Sequence, residues 1–254
     1  MFGDRGKKPD CKGKRRVCAP SQRKGNNQSE GKKEAKFQGR QQLGIIIWST
    51  NTDVYTIDKF HELKALLDSC TELEKPHIIA LSEVKPKNPT KEFNIHCFNI
   101  LGYNIEAENL ERGGRGMLLY LRQDLRYIMT DITSPVDELQ ALEILLEQGT
   151  KATIISIYRS PNSDTENNDR INQIIRELSR KNEHTIIVGD FNRPNINWEQ
   201  MINNGLHMDQ DFLFIEAIRD SFLIQHVNQA TRSRGTNRPS LLDLILTDYV
   251  QQPP

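Results

Sequence analysis

The chain has 254 residues, enough to bury a sizeable core in a single α/β domain. Its formal net charge is zero, but residues 1–40 hold 13 Lys and Arg against 4 Asp and Glu, whereas residues 41–254 hold 21 against 30. No apolar run approaches the ~18–20 residues of a membrane span, and the polar N-terminus is unlike a signal peptide. We therefore expect a protein that is neither secreted nor embedded in a membrane.

The first 43 residues predict a disordered basic tail. They consist mostly of Lys, Arg, Gly, Gln, Asn and Ser, and such a segment cannot offset its ordering entropy by burial. The basic run at residues 12–16 fits a nuclear address, a clamp on a phosphate backbone, or a solvated tail without a specific role. The four cysteines form no disulfide framework. A reducing compartment is expected, nuclear or otherwise cytoplasmic.

From residue 44 onwards the pattern predicts one folded domain, residues 44–254. A buried strand is predicted at 44–48, a turn at 49–53 and an amphipathic helix at 57–69. Further strands are predicted at 77–81, 116–122, 141–147, 151–158, 185–188 and 241–247, and helices at 166–180 and 208–218. This mixture fits an α/β class and a layered α/β sandwich better than a purely parallel sheet.

Polar residues follow several of these strands. Asp190 and Asn192 come after a β-branched apolar run, and alternation in an extended backbone would place both side chains on one face. A carboxylate and an amide so placed can orient a water and a phosphate oxygen, although an isolated Gly-Asp-x-Asn is more often a turn. Asn51, Glu83 and Tyr158 also end strands, where Glu83 alone fits a solvated loop and Tyr158 alone fits core packing. Such oxygen ligands favour magnesium or manganese over zinc.

Taken in order, these residues resemble the endonuclease/exonuclease/phosphatase superfamily over about residues 44–248. The matching stretches are Trp48–Asn51, Ile79–Glu83, Gly113–Tyr120, Ser156–Pro161, Gly189–Asn192 and Leu242–Thr247. Three further segments resemble the endonuclease domain of non-LTR retrotransposons, which is similar to apurinic/apyrimidinic endonucleases: Asn195–Trp198, Gln229–Arg232 and Ser240–Thr247. The resemblance implies a DNase I-like sandwich.

The resemblance also implies an activity, namely DNA nicking by a Mg²⁺-dependent phosphodiester hydrolase, with Mn²⁺ as a possible substitute. DNA is the expected partner, together with a reverse transcriptase downstream in a full-length element, and neither a membrane nor a small-molecule cofactor is expected. Glu83 would be the principal metal ligand, with Asn51 beside it. A metal and fixed donors would stabilise the charge that builds on the phosphate oxygens during in-line attack.

The remaining roles implied by the resemblance concern water and phosphate. Asp190 would align or deprotonate the attacking water, and Asn192 would hold the scissile phosphate. Tyr158 would hydrogen-bond a phosphate oxygen. Arg159 and Thr231 would contribute to substrate binding.

Asp243 matches the aspartate that orients the superfamily's catalytic histidine, which comes from a Ser-Asp-His segment further downstream. None of the six histidines of this chain follows Asp243. We therefore expect a C-terminally truncated domain that lacks its last strand or strands, leaves a sheet edge unpaired and has impaired activity. It would be either a fragment of a longer reading frame or a relic. Two other functions stay open: an inactive nucleic-acid-binding module, or a phosphatase acting on a small phosphoester.

Overall fold

The computed structural model describes residues 44–88, 92–111, 114–132, 136, 138–146, 149–203, 209–233 and 239–248. The predicted basic tail, residues 1–43, lies outside the described residues. Within the described ranges, no helix is long and apolar enough to cross a membrane.

The first of two large sheets has four strands. They are β1 (Ile47–Asn51), β2 (Ile78–Ser82), β3 (Tyr103–Glu108) and β4 (Met117–Arg122). Their order is β1-β2-β4-β3, in which β1 and β2 are parallel and the other pairs are antiparallel. Every residue of β2 is buried, as expected for an apolar strand in the middle of a sheet with both faces covered.

The second large sheet has six strands. It begins with β5 (Tyr127–Met129), β6 (Leu139–Leu145), β7 (Lys151–Tyr158) and β8 (His184–Asp190). A small separate hairpin follows, formed by β9 (Ile196–Asn197) and β10 (Ile202–Asn203), before the sheet is completed by β11 (Ile224–Gln225) and β12 (Asp243–Thr247). The order is β11-β12-β8-β7-β6-β5, and only β7 and β8 are parallel.

Each α-helix begins at a polar residue whose side chain accepts a backbone N–H of the first turn. The helices are α1 (Ile57–Ser69), α2 (Thr165–Leu178) and α3 (Gln210–Asp220), capped by Thr56, Asp164 and Asp209. These side chains satisfy donors that have no partner within the helix. The 3₁₀ turn Ile95–Phe98 packs its Phe98 beside α1.

Three apolar clusters hold four layers together. Alternation along β2 sends Ile78 and Ala80 to the second sheet, where they pack with residues of β6, β7 and β8. The intervening Ile79 and Leu81 face α1 on the opposite side. The outer face of the second sheet packs against α2 and α3. The result is a helix–sheet–sheet–helix sandwich, which confirms the predicted α/β class and layered α/β sandwich.

The registers bring the polar strand ends to one edge. Asn51 is paired with Ser82, the residue before Glu83. In the second sheet Asp190 lies between Tyr158 on one neighbouring strand and Asp243 on the other. Because β12 is antiparallel to β8, its first residue lies at the carboxyl end of β8. The fold therefore collects groups from both sheets at the same edge of the sandwich.

The prediction for the first strand was displaced by three residues. The structure begins β1 at Ile47 and ends it at Asn51, so 49–51 form strand rather than turn. Five strands were missed: the two-residue strands β9, β10 and β11, and two longer ones, Tyr103–Glu108 and Tyr127–Met129. The two longer strands share a feature. Both contain exposed or half-buried residues, because each lies at the outer end of its sheet with a single hydrogen-bonded neighbour among the described strands.

Candidate active site

The edge of the sandwich holds a cleft of about 720 Å³. Seven of the eight site residues predicted from the sequence line it: Asn51, Glu83, Tyr158, Asp190, Asn192, Thr231 and Asp243. The whole lining contains four acidic side chains, three of them among the predicted residues, and three basic ones, Lys87, Arg115 and Arg232. The eighth predicted residue, Arg159, is not part of the described lining.

Asn51 links the two sheets across the floor of this cleft. Its Nδ2 donates to Glu83 Oε1 at 2.8 Å and to Asp190 Oδ2 at 2.8 Å. Its Oδ1 accepts the backbone N–H of Asp53 at 2.9 Å, which fixes the orientation of the amide. One amide thus holds the carboxylate that ends the first sheet next to the carboxylate that ends the second.

Asp190 is held from both oxygens. Its Oδ1 accepts the backbone N–H of Asn192 at 3.0 Å while Oδ2 is bound by Asn51. The strand ends at Asp190, and Asn192 adopts a left-handed φ of 47°. The expectation that extended backbone aligns the two side chains was therefore wrong; both reach the cleft because the chain turns sharply after the strand.

The environment of Asp190 favours its protonated form. Burial raises the pKa of the Asp190 carboxyl to about 6, and the hydrogen bond from Asn51 opposes this increase. The neighbouring negative charges of Asp243 and Glu83 raise the pKa further. Asp243 itself has a raised pKa, chiefly because it is buried. Crowded carboxylates in a cleft indicate a site that is completed by positive charge.

These shifts predict how stability depends on pH in the absence of a cation. A carboxyl whose folded pKa is raised favours folding fully only below its unfolded value of 3.8, and this contribution is lost as pH rises through about 6. Between about pH 5 and pH 7 the free energy of unfolding should fall by about 1 kcal/mol through Asp190 alone. Urea denaturation in chelator, comparing wild type with Asp190→Asn, measures it. Equal slopes in the two proteins would contradict the prediction.

Tyr158 is a buried hydrogen-bond donor next to the predicted metal ligand. It is 3% exposed, and its hydroxyl is hydrogen-bonded to the Glu83 carboxylate. Burial, followed by the charge of Glu83, raises the pKa of the Tyr158 phenol far above its ordinary value. The phenol therefore stays protonated, and its single O–H is donated to the Glu83 carboxylate.

Thr231 fixes the start of β12. Its Oγ1 accepts the backbone N–H groups of Leu242 at 3.1 Å and Asp243 at 3.0 Å. A further hydrogen bond between the Thr231 and Asp243 side chains lowers the pKa of Asp243 against the larger effect of burial. The described residues that line the cleft include no histidine, so the implied role of Asp243 as a histidine partner stays a prediction.

Arg159 lies beneath the cleft, and the structure does not bring its side chain to the substrate side. Its Nε donates to Asn168 Oδ1 of α2 at 2.6 Å, and its Nη1 donates to the carbonyl of Asn192 at 3.1 Å. Asn192 Nδ2 returns a bond to the Arg159 carbonyl at 2.9 Å. The neighbouring Arg193 is also buried and pairs with Asp211 at 2.7 Å. The Arg159 guanidinium therefore supports the backbone around Asn192.

Arg115 and Glu138 are site residues that the sequence analysis did not single out. Arg115 Nη2 lies 2.6 Å from Glu83 Oε2 and 3.0 Å from Asp53 Oδ1. The buried Glu138 carboxylate accepts the backbone N–H groups of Arg115 and Gly116. The Gly-Arg-Gly of the matching stretch was the available signal, but the contacts depend on residues distant in the sequence.

The donor chemistry of the cleft fits a magnesium-type ion. Among the described residues, no group of three or more His, Cys, Asp or Glu side chains forms a ready metal cage. Mg²⁺ is usually held by one or two carboxylates together with waters and substrate phosphates, so such a cage is not required. Glu83 supplies suitable oxygens, with Asp190 and Asp243 close by. Asn51 turns its Nδ2 to both Glu83 and Asp190 while its Oδ1 accepts the Asp53 N–H, so its predicted role as a metal ligand stays a prediction.

The fold is shared with nucleic-acid enzymes. The endonuclease domain of TRAS1, a telomere-specific non-LTR retrotransposon, aligns with a TM-score of 0.56 at 13% identity, covering 80% of this chain and 83% of that chain. AP endonuclease LMAP from Leishmania major aligns with a TM-score of 0.57 at 14% identity, covering 80% and 78%. The 3′ phosphatase NExo from Neisseria, bound to product DNA hairpin, gives 0.54 at 14% identity, covering 80% and 86%.

Sequence comparison adds a more particular likeness. Residues 152–253 match the family described as endonuclease-reverse transcriptase. None of the curated proteins matches this chain. The fold and the family match confirm the predicted resemblance to the endonuclease/exonuclease/phosphatase superfamily. The chain is thus similar over residues 152–253 to that family, and in fold to the endonuclease domain of TRAS1.

Proposed function

We propose that this chain is a divalent-metal-dependent phosphodiester hydrolase that nicks DNA, of the retrotransposon type, with Mg²⁺ or Mn²⁺ as its cofactor. The observation that carries the proposal is the Asn51 amide, which joins the Glu83 and Asp190 carboxylates at the floor of one cleft. Such a pair provides two different functions side by side. One carboxylate would hold a cation, and the other is a base with a pKa of about 6.

The reaction needs a water oriented in line with the scissile bond and stabilisation of the charge that builds on phosphate oxygens. Asp190, fixed through both oxygens, would align the water and accept its proton, since a pKa of about 6 leaves it largely ionised at neutral pH. The protonated Tyr158 and the Asn192 side chain would contact the phosphate. A bound Mg²⁺ would supply positive charge beside the same oxygens.

Thr231 and Arg159 would act by holding other site residues in place. Thr231 fixes the backbone of Asp243, and Arg159 fixes the backbone of Asn192. Residues 1–43 would form a separate basic tail that adds sequence-independent attraction to DNA phosphates, and residues 44–254 would form the catalytic domain. A reverse transcriptase in the same element would use the nick. Nuclear localisation follows from this substrate.

A supercoiled-plasmid assay tests the proposal. Wild type is expected to convert supercoiled to open-circular DNA with Mg²⁺ or Mn²⁺ and not with chelator. Glu83→Gln should lower this rate by about 10²-fold or more, because the neutral amide removes the carboxylate that would hold the cation. Glu216→Gln, on the exposed Arg219 pair of α3, is the matched control.

The outcomes separate the alternatives. If Glu83→Gln nicks at the wild-type rate, the assigned site is not the source of the activity. If wild type binds DNA without nicking it, the chain is a non-catalytic nucleic-acid-binding module. Hydrolysis of a small phosphomonoester without plasmid nicking would assign a phosphatase instead.

A further inference from the structure

The predicted metal ligand already carries a positive charge from the protein. Arg115 Nη2 lies 2.6 Å from Glu83 Oε2, and both side chains are largely shielded, with 10% and 13% of their surfaces exposed. The same guanidinium nitrogen lies 3.0 Å from Asp53 Oδ1. A guanidinium keeps its charge under all ordinary conditions, so Arg115 places a permanent positive charge beside the Glu83 carboxylate.

Contacts with the surrounding chain hold Arg115 in position. Its Nε donates to the Lys85 carbonyl at 2.8 Å, while the Lys85 N–H donates to the Arg115 carbonyl at 2.7 Å. Its own backbone N–H donates to the buried carboxylate of Glu138. Contacts at the backbone and along the side chain therefore aim the guanidinium at Glu83, which distinguishes it from a surface arginine with free rotamers.

The protein contacts both oxygens of Glu83 in this arrangement. Oε1 accepts from Asn51 Nδ2, and Oε2 forms an ion pair with Arg115 Nη2 at 2.6 Å. A divalent cation that binds Glu83 must share the carboxylate with a fixed positive charge a few ångströms away. Such a geometry lowers cation affinity, because like charges repel at this range even with strong screening.

We propose that Arg115 sets the divalent-cation affinity of this site by competing with the cation for the Glu83 carboxylate. The proposal rests on the proposed function only in taking Glu83 as a metal ligand. In the free protein, Arg115 neutralises the Glu83 carboxylate. Tight cation binding then requires additional negative charge, which the phosphates of a bound nucleic acid supply.

The test is Mn²⁺ binding to the full chain without DNA, measured from the paramagnetic resonance signal of free Mn²⁺. Arg115→Gln should bind Mn²⁺ about tenfold more tightly than wild type. The reason is that the repulsion between a unit charge and a double charge ~5 Å apart, at the dielectric of water, lowers affinity by about a factor of ten. Arg115→Lys retains the charge and should stay near wild type. Arg232→Gln removes the same charge from a cleft residue whose described contacts do not include Glu83, and should change affinity less.

Thermal unfolding checks that each variant is folded. Equal affinity in wild type and Arg115→Gln would overturn the inference and leave the proposed function intact. Weaker binding by Arg115→Gln would overturn it as well, because Arg115 would then be orienting Glu83 for the cation. If neither protein binds Mn²⁺ without DNA, the inference fails, because removing Arg115 has not raised the affinity; the metal dependence of plasmid nicking by wild type still tests the proposed function separately.

Discussion

Replacing Asp190 with asparagine is expected to lower the rate of plasmid nicking by about 10²–10⁴-fold, the usual contribution of a general base. Asparagine has nearly the same shape but cannot accept the proton of the attacking water. The side chain is 4% exposed and accepts hydrogen bonds through both oxygens, so asparagine also gives up one of these two bonds. The measurement is the initial rate of open-circle formation under saturating Mg²⁺.

The pH profile separates a base from a residue that only positions others. The wild-type rate should fall as pH decreases through the pKa of about 6, because the protonated carboxyl cannot accept a second proton. The residual rate of Asp190→Asn should lack this fall. Asp124→Asn, on an exposed pair with Arg122, serves as the control for an Asp-to-Asn change elsewhere. An Asp190→Asn variant with the wild-type rate would remove Asp190 from the mechanism.

Much of the fold could be predicted because several elements have uniform burial. The predicted strand 151–158 and the predicted helix 57–69 match β7 and α1 at both ends. β7 is buried at seven consecutive positions and therefore reads as a continuous apolar run. β3 was missed because its sequence, YNIEAE, combines acidic and apolar residues on a half-exposed outer strand.

The site was predictable to a similar extent. Residue types at strand ends were sufficient to select Asn51, Glu83 and Asp190, which the structure joins through two hydrogen bonds. Orientation was not predictable in the same way. Arg159 follows Tyr158 directly, yet its guanidinium contacts α2 because Asn168 offers a buried acceptor. Arg115 contacts Glu83 across 32 positions of sequence, and nothing local to either residue indicates the pair.

The glycine that precedes Asp190 is a structural requirement of the same motif. Gly189 has a φ of +144°, a conformation that side-chain-bearing residues rarely adopt. A Cβ at this position would lie 1.8 Å from the carbonyl oxygen of Ile157, its partner on β7, and 2.8 Å from the carbonyl carbon. Both contacts are with backbone, so no side-chain rotation relieves them. The two central strands of the sheet would have to separate.

Gly189→Ala is therefore expected to cost about 3 kcal/mol or more of unfolding free energy, at the upper end of single substitutions. Gly102→Ala is the matched control: its φ is +88°, but a Cβ there meets no described atom within 4 Å, so backbone strain alone should cost about 1 kcal/mol. Urea denaturation of both variants measures the difference. Equal losses would show that the sheet accommodates the methyl group. The larger loss at Gly189 should be accompanied by loss of nicking, because the displaced backbone is the one that presents Asp190 to Asn51.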